Sequence, residues 1–386
     1  MEDIVDLILT ALRREKLPKR VPTFVQGIMP NFFSAFDKKY GDLLEENDVL
    51  TTPLKDFTLH VNLGFDSTWC GFQGFGWKPE PRFDDFLKKK NQELLTEEER
   101  KNRFYISQMG GLYHSGELVG NPHNFLVGGV IKSEEQWKEW FVDHNWTLSS
   151  PPQNAVDNFN QTFKMATQFP KHPIMPFPTC GLIMEPIIAM LSMSAISHFA
   201  RKKPDFLRQV IEFIVKPKLK TVELMVESDA PIIMIPDDCA YKGRPTLSPK
   251  DYKEFVIPHF KKIFDMAHKK DKLVVFHSDG YVESYYNDLI EAGLDVHQSL
   301  EPTAGNDLAV IKEKYGDRLS FIGNMDCSIL LPFGSVEEVV EETKKILKAG
   351  MPGGGYMFSP CTDLTDSCKL ENAEAMIETV KKYGTY

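Results

Sequence analysis

The sequence predicts an α/β protein built on a closed (β/α)8 barrel, and three observations carry this. Short apolar runs alternate with helical patterns through the second half, joined by short connections, as a parallel sheet with helical crossovers requires. The chain has 386 residues, 42% of them hydrophobic, enough for one large core. The number of β–α units favours closure into a barrel over an open sheet.

Each element follows in chain order. Residues 1–16 form an amphipathic pattern without a basic start or an unbroken apolar run, so they read as a helix and not as a signal peptide. Early strands are expected at 23–26, 67–70 and 173–177. Residues 72–170 are irregular and aromatic-rich. They are expected to be an insertion over the barrel mouth within a single domain spanning 1–386. A helix over 204–227 leads into an apolar strand at 230–235, closed by Pro236-Asp237-Asp238. Ser248 and Pro249 suit the N-cap and first position of a helix running to about His268. Strand 272–277, helix 282–292, strand 294–300, helix 305–314, strand 319–323 and helix 335–348 come next. Gly353-Gly354-Gly355 precedes a strand and lacks the order of a dinucleotide loop, so it reads as a turn feeding strand 355–359. Helix 369–383 ends the alternation.

Composition narrows the function. Net charge is −10, with acids and bases interspersed, which disfavours nucleic acid as a partner. No apolar run approaches the ~20 residues of a membrane span. The six cysteines show no CxxC pair, and they are expected to be reduced thiols in a cytoplasmic protein.

Barrel enzymes keep their chemistry where strands end. Reading those ends in order gives Gln26, the stretch from Asp66 to Trp77, Cys180, Glu185, Asp237, Asp238, Cys239, His277, Asp279, Glu301, Asn324, Asp326, Cys361 and Asp363. The segment Phe276-His277-Ser278-Asp279-Gly280 is the most informative, because a carboxylate two residues from a strand-end histidine can fix its tautomer and raise its basicity. Asp238, Asp279 and Asp326 each precede a helix, and capping competes with chemistry for each. Three glycines interleave the rings of Trp69, Phe72, Phe75 and Trp77, which either line a pocket for a flat substrate or form a self-packed aromatic cluster. Tyr241 and Asn324 are candidate substrate-binding residues.

From about Asp238 to Tyr383 the sequence resembles the uroporphyrinogen decarboxylase superfamily. The resemblance lies in Pro236-Asp237-Asp238, Ser248-Pro249, Ile257-Pro258, His277-Ser278-Asp279-Gly280, Ile290-Glu291-Ala292-Gly293-Leu294-Asp295, Ile322-Gly323-Asn324-Met325-Asp326 and Glu371-Asn372-Ala373-Glu374-Ala375-Met376, in the family's order. It implies a distorted (β/α)8 barrel. The arginine-rich motif by which true decarboxylases grip the porphyrin precursor is replaced here by Gln26-Gly27-Ile28-Met29-Pro30-Asn31-Phe32-Phe33, which argues against that activity. The resemblance then points to the corrinoid-dependent methyltransferases. Members that transfer methyl to coenzyme M bind zinc through His-x-Cys and a distant Cys. Here His277 is kept, Asp279 stands for the first Cys, and Cys361 lies close to the second. The departure shifts the expectation to O-demethylation, in which methyl passes from a methoxylated aromatic to the cobalt(I) of a corrinoid (cobalamin) protein. Transfer to coenzyme M, or from another small methyl donor, is the alternative. A metal spacing found in some members has a near match in Glu223, Asp238 and His259. Glu223 precedes the strand and Asp238 follows it, so ~17–20 Å of strand separates them, far beyond a ~2 Å metal bond.

Phenolate is a poor leaving group, so the ether oxygen needs either a proton or a Lewis acid. Asp237, Asp238, His277 and Asp279 are the candidate catalytic residues for the first route. Zinc held by His277, Asp279 and Cys361 would serve the second. A corrinoid domain must reach the barrel mouth, so a homodimer is expected to use another face.

Overall fold

A computed structural model describes residues 3–29, 58–118, 121–169 and 172–386, together with residues 32, 35, 38 and 39. Eight parallel strands form one sheet: β1 (Phe24–Val25), β2 (Ser67–Gly71), β3 (Met175–Thr179), β4 (Ile232–Pro236), β5 (Leu273–Ser278), β6 (Val296–Ser299), β7 (Ser320–Met325) and β8 (Tyr356–Pro360). Neighbours in the sheet are neighbours in the sequence, the order that successive right-handed crossovers produce. The barrel closes where Thr23 bridges Phe358 in parallel and Phe358 N–H donates to the Pro22 carbonyl at 2.9 Å. The inside of the strands is filled by Phe24, Met175, Phe177, Ile232, Met234, Val275, Val296, Ile322 and Met357, all fully buried. This is a packed barrel core and not a pore.

The first helix, Ile4–Arg13, starts at Asp3, whose carboxylate accepts from the Val5 and Asp6 amides. Its apolar face carries Ile4, Leu7, Ile8, Ala11 and Leu12 into the barrel floor. The helix expected from Ser248 to His268 is two helices, Pro249–Phe255 and Ile257–His268. The break falls beside Pro258, whose ring disfavours helical geometry in the residue before it. The turn Gly353-Gly354-Gly355 has φ of 76°, 70° and 66°, a left-handed run that glycine adopts without steric cost. It curls around the Lys312 ammonium, which donates to the carbonyls of Gly350, Pro352 and Gly354.

The stretch expected to be irregular is ordered. A short antiparallel pair, Gly76–Lys78 with Thr147–Ser149, closes its base. Inside lie the helices Phe83–Leu94 and Glu97–Lys101 and a three-stranded antiparallel sheet, Phe104–Ile106, Gly111–Leu118 and Asn121–Gly129. Helix Ala155–Thr167 already belongs to the barrel, crossing from β2 to β3. The inserted unit packs on the barrel's flank. Trp137, Phe141 and Trp146 cluster with Phe213 of helix Pro204–Glu227. The Ile131 amide donates to the Met190 carbonyl at the end of helix Met184–Leu191. The longest strand exposes Phe125, Leu126 and Val127 in succession, so no apolar–polar alternation marks it, which is why the sequence hides this unit. Among the described residues, no helix is long and apolar enough to cross a membrane.

Candidate active site

The C-terminal ends of β4 and β5 bring Asp238, His277 and Asp279 together. One ligating atom from each lies within 4.8 Å of the other two. The backbone reinforces the group, because the Asp279 amide donates to Asp238 Oδ1 at 2.8 Å. His277 Nε2 stands 3.6 Å from the same oxygen. Its other nitrogen, Nδ1, is bonded to Gln298 Oε1 on β6. Ser299, the next residue, donates its hydroxyl to Asp279 Oδ1 at 2.6 Å. Ser299 and Leu300 both adopt positive φ, 113° and 55°, unusual for residues with a Cβ and held here by the surrounding ladder.

Other acids share this space. Burial pushes the Asp279 carboxyl up and the negative Asp238 adds to it, against the pull of His277 and the Ser299 hydrogen bond. Glu185, on the first turn of helix Met184–Leu191, reaches solvent, yet desolvation by the protein around it raises its carboxyl and Asp238 raises it further. The phenol of Tyr113, from the inserted sheet, is in turn raised by burial, with a small part from Glu185. Asp363 packs against the bare backbone of Gly27, and burial raises its carboxyl while His277 opposes the shift.

Several expected site residues do other work. Asp237 is fully buried and points away from Asp238. Its Oδ1 accepts the Ile183 and Met184 amides at 2.8 and 2.5 Å and so caps helix Met184–Leu191. Burial pushes this carboxyl up to about 8, so Asp237 is a neutral cap, and its place against the Ile183 and Met184 amides keeps it out of the lumen. Asp326 caps the Ser328, Ile329 and Leu330 amides. Asp66 sits at the start of β2, on the barrel floor, paired with Arg20 by two 2.7 Å contacts. Asn324, at φ 79°, spends its amide nitrogen on the carbonyls of Leu300 and Asn306, so it braces the loop after β6. Tyr241 is half exposed on a small hairpin, Ala240–Tyr241 with Arg244–Pro245. Cys361 is not part of the ligand group: its thiol lies 3.0 Å from the Cys327 thiol, and its carbonyl accepts from Gln298 Nε2. Asp238 stands where Cys361 was expected. Glu223 is exposed and His259 is buried near Glu212, both outside the group.

The aromatic stretch divides. Trp69, on β2, meets His277 edge to face with ring centroids 6.0 Å apart, so it walls the site. The other three rings face outward. Phe72 packs on Phe159, 5.5 Å between centroids. Trp77 stacks on Phe213 at 4.4 Å and donates its indole N–H to the Phe213 carbonyl at 2.7 Å. That carbonyl lacks its usual helical partner, since the residue four positions on is Pro217, which has no N–H. Thr221 adds a second tie to the loop. Its hydroxyl donates to the Pro217 carbonyl at 3.0 Å and accepts the Phe75 amide at 2.9 Å. A Cβ on Gly74 would lie 2.1 Å from that hydroxyl, so only glycine fits. Phe75 and Trp77 are thus a clasp on helix Pro204–Glu227, not a substrate platform.

Gln298 and Ser299 were missed in the sequence. Their signal is weak, one polar pair at the end of an apolar strand, and it gains meaning only from the register that sets His277 opposite Gln298.

The donor set suits a divalent cation. Two carboxylates and a neutral imidazole offer a charge of −2, and Ser299 and Gln298 hold the ligands from behind as metal sites require.

Comparison with known proteins agrees with this architecture. The family model described as "Uroporphyrinogen decarboxylase (URO-D)" matches residues 157–383. A "Methylcobamide:CoM methyltransferase MtaA" of Methanosarcina barkeri is 24% identical over 194 residues, covering 50% of this chain and 54% of the relative. A uroporphyrinogen decarboxylase of Pseudoalteromonas atlantica is 25% identical over 196 residues, covering 50% and 53%. The chain therefore spans about half the length of the curated relatives it matches. Among solved structures, a methyltransferase from Methanosarcina mazei superposes with a TM-score of 0.60 over 99% of both chains at 17% identity, a likeness of fold.

Proposed function

Starting from the premise that the chain belongs to the uroporphyrinogen decarboxylase family, we propose that it is a corrinoid-dependent methyltransferase. It moves methyl from a small methoxylated aromatic to the cobalt(I) of a corrinoid protein. The observation that carries this reading is the convergence of Asp238, His277 Nε2 and Asp279 at the lumen end of β4 and β5. A decarboxylase of a polyanionic tetrapyrrole fits poorly, because Glu185, Asp238, Asp279 and Asp363 make this mouth acidic and the Gln26–Met29 segment carries no arginine.

A divalent cation such as zinc, held by Asp238, His277 and Asp279, would supply a Lewis acid for the ether oxygen. The chain does the rest. His277 presents Nε2 to the lumen, with its ring held by Gln298 behind and Trp69 at its edge. Asp238 and Asp279 supply the compensating charge. Trp69 offers the flat face against which an arene can settle. Glu185, open to solvent and with its carboxyl raised, is positioned to give a proton to the departing phenolate. Carboxylate ligands donate less electron density than thiolates, so a cation held here would be a stronger Lewis acid and a weaker activator of a bound thiol. That supports ether cleavage over methylation of coenzyme M. The similarity to the Methanosarcina barkeri enzyme keeps thiol methylation as the second reading.

The test is a methyl-transfer assay with cob(I)alamin, run against methoxyphenols, methanol, methylamines and methyl sulfides, and in reverse from methylcobalamin to coenzyme M. Methoxyphenol turnover that falls at least ~100-fold in His277→Ala is the expected result. Turnover only with the thiol would establish the second reading, and wild-type rates in His277→Ala would remove this site.

A further inference from the structure

We infer that Gln298 is a positioning residue that sets the tautomer of His277, and that a main-chain carbonyl sets Gln298 in turn. Three groups form a continuous chain in the barrel wall. His277 Nδ1 meets Gln298 Oε1, and Gln298 Nε2 donates to the Cys361 carbonyl at 3.1 Å. Gln298 and Ser299 have no exposed surface, and His277 is 4% exposed. Gln298 sits directly opposite His277 in the β5–β6 ladder.

A backbone carbonyl can only accept a hydrogen bond. It therefore selects which end of the Gln298 amide faces it. Turning the amide over would set two oxygens against each other across the Cys361 contact, in an interior where an unsatisfied acceptor is costly. With Nε2 committed to Cys361, Oε1 faces the imidazole, and Nδ1 must carry the proton. The bare Nε2 then points at Asp238 and Asp279.

The identity of residue 298 matters for charge as well. A carboxylate there would have no N–H to give the Cys361 carbonyl. It would also add a negative charge to a space already holding Asp238, Asp279, Glu185 and Asp363. A neutral amide fixes the ring without adding that charge. The orienting signal comes from the main chain at residue 361, so it survives any side chain placed there. The value of this tautomer for cation binding rests on the function proposed above, whereas the tautomer itself does not.

The experiment uses the metal-free full-length protein with 15N-labelled histidine, the His277 signals being assigned by their loss in His277→Gln. Long-range proton–nitrogen spectra should give an Nδ1–H ring with Nε2 bare. In Gln298→Leu the ring should populate Nε2–H. Gln298→Glu, which keeps an acceptor on Nδ1, should retain Nδ1–H. Zinc added in competition with a chromogenic chelator should bind Gln298→Leu about 10–100-fold more weakly than wild type. An Nε2–H ring in wild type, or an unchanged ring in Gln298→Leu, overturns the inference. If Gln298→Leu does not fold, Gln298→Glu decides, since loss of Nδ1–H there overturns it equally. Wild type that shows the expected tautomer yet binds no zinc upholds the inference and removes the metal from the proposed function.

Discussion

The end of β5 and the glycine-aromatic loop after β2 are both conspicuous in the sequence, yet the fold uses them in opposite ways. His277 and Asp279 face the lumen and meet Asp238 from the neighbouring strand. Phe75 and Trp77 leave the lumen and fasten the loop to helix Pro204–Glu227. The difference lies in what each group must satisfy. The lumen residues take their partners from one another and from β6. The loop residues take theirs from helix Pro204–Glu227, where Trp77 supplies the donor that Pro217 withholds from the Phe213 carbonyl. An unusual cluster in a sequence can thus mark a repair in the scaffold as readily as a reaction centre.

Substitutions can break this contrast. The largest effect is expected from Asp238→Asn, which removes one of the two carboxylates. Methyl transfer should fall at least ~100-fold with little change in melting temperature, and near-normal turnover would dissolve the distinction. Acid should come next, acting on the wall behind the site and not on the lumen. His297, on β6, is fully buried with Nδ1 against the Tyr286 hydroxyl, and burial pushes it down to about 3. The folded protein keeps it neutral while the unfolded chain takes up a proton below about 6.5. Its contribution is therefore complete above that pH and is lost as pH falls towards 3, amounting to about 2 kcal/mol by pH 5. Denaturant titrations of wild type and His297→Gln share the opposing titration of Asp237, so the stability of wild type relative to the variant should fall by about 2 kcal/mol from pH 7 to 5. An equal slope in the variant would place the acid sensitivity elsewhere.

A smaller effect belongs to the clasp. Trp77→Phe should cost about 1 kcal/mol of stability by leaving the Phe213 carbonyl without a donor, with methyl transfer unaffected. Pro217→Ala restores a helical N–H to that carbonyl, so the cost of Trp77→Phe should shrink in that background, as a double-mutant cycle would measure. The smallest effect on turnover is expected from Asp237→Asn, beside the residue with the largest. Its folded carboxyl titrates near 8, so at pH 7 it is already neutral. Stability from a raised carboxyl is present below its unfolded value and declines as pH rises to about 8. The variant should lack this decline, and denaturation across that range would reveal it. A large loss of turnover in Asp237→Asn would return Asp237 to the reaction.

The second half of the barrel was legible because each strand is a short apolar run set between helices of clear period. Val274 to Phe276 and Phe321 to Ile322 are buried from end to end, as the sequence suggests. Strand bounds shifted by at most two residues, as at β3, expected over 173–177 and found at Met175–Thr179. The inserted sheet was not legible, since residues 112–116 are all half-buried and Phe125, Leu126 and Val127 are exposed in succession, with no alternation to read. His277, Asp279 and Asp238 could be proposed because strand ends are visible in a sequence. Whether Asp237 or Asp238 faces inward could not, because adjacent residues differ only in which side of the strand they leave from. Pro30, Asn31 and Phe33 of the segment that replaces the arginine motif lie outside the described residues.

That alternation has a consequence for the tip of β4. Asp237 and Asp238 are one peptide bond apart, yet one anchors the start of a helix while the other borders the reaction chamber. Neither can be relocated without moving its neighbour. Sliding the chain by a single position would set either Pro236 at the helix anchor or Cys239 at the chamber, so one carboxylate would be lost from its place whichever way it slid, and here the sequence tolerates one alignment alone.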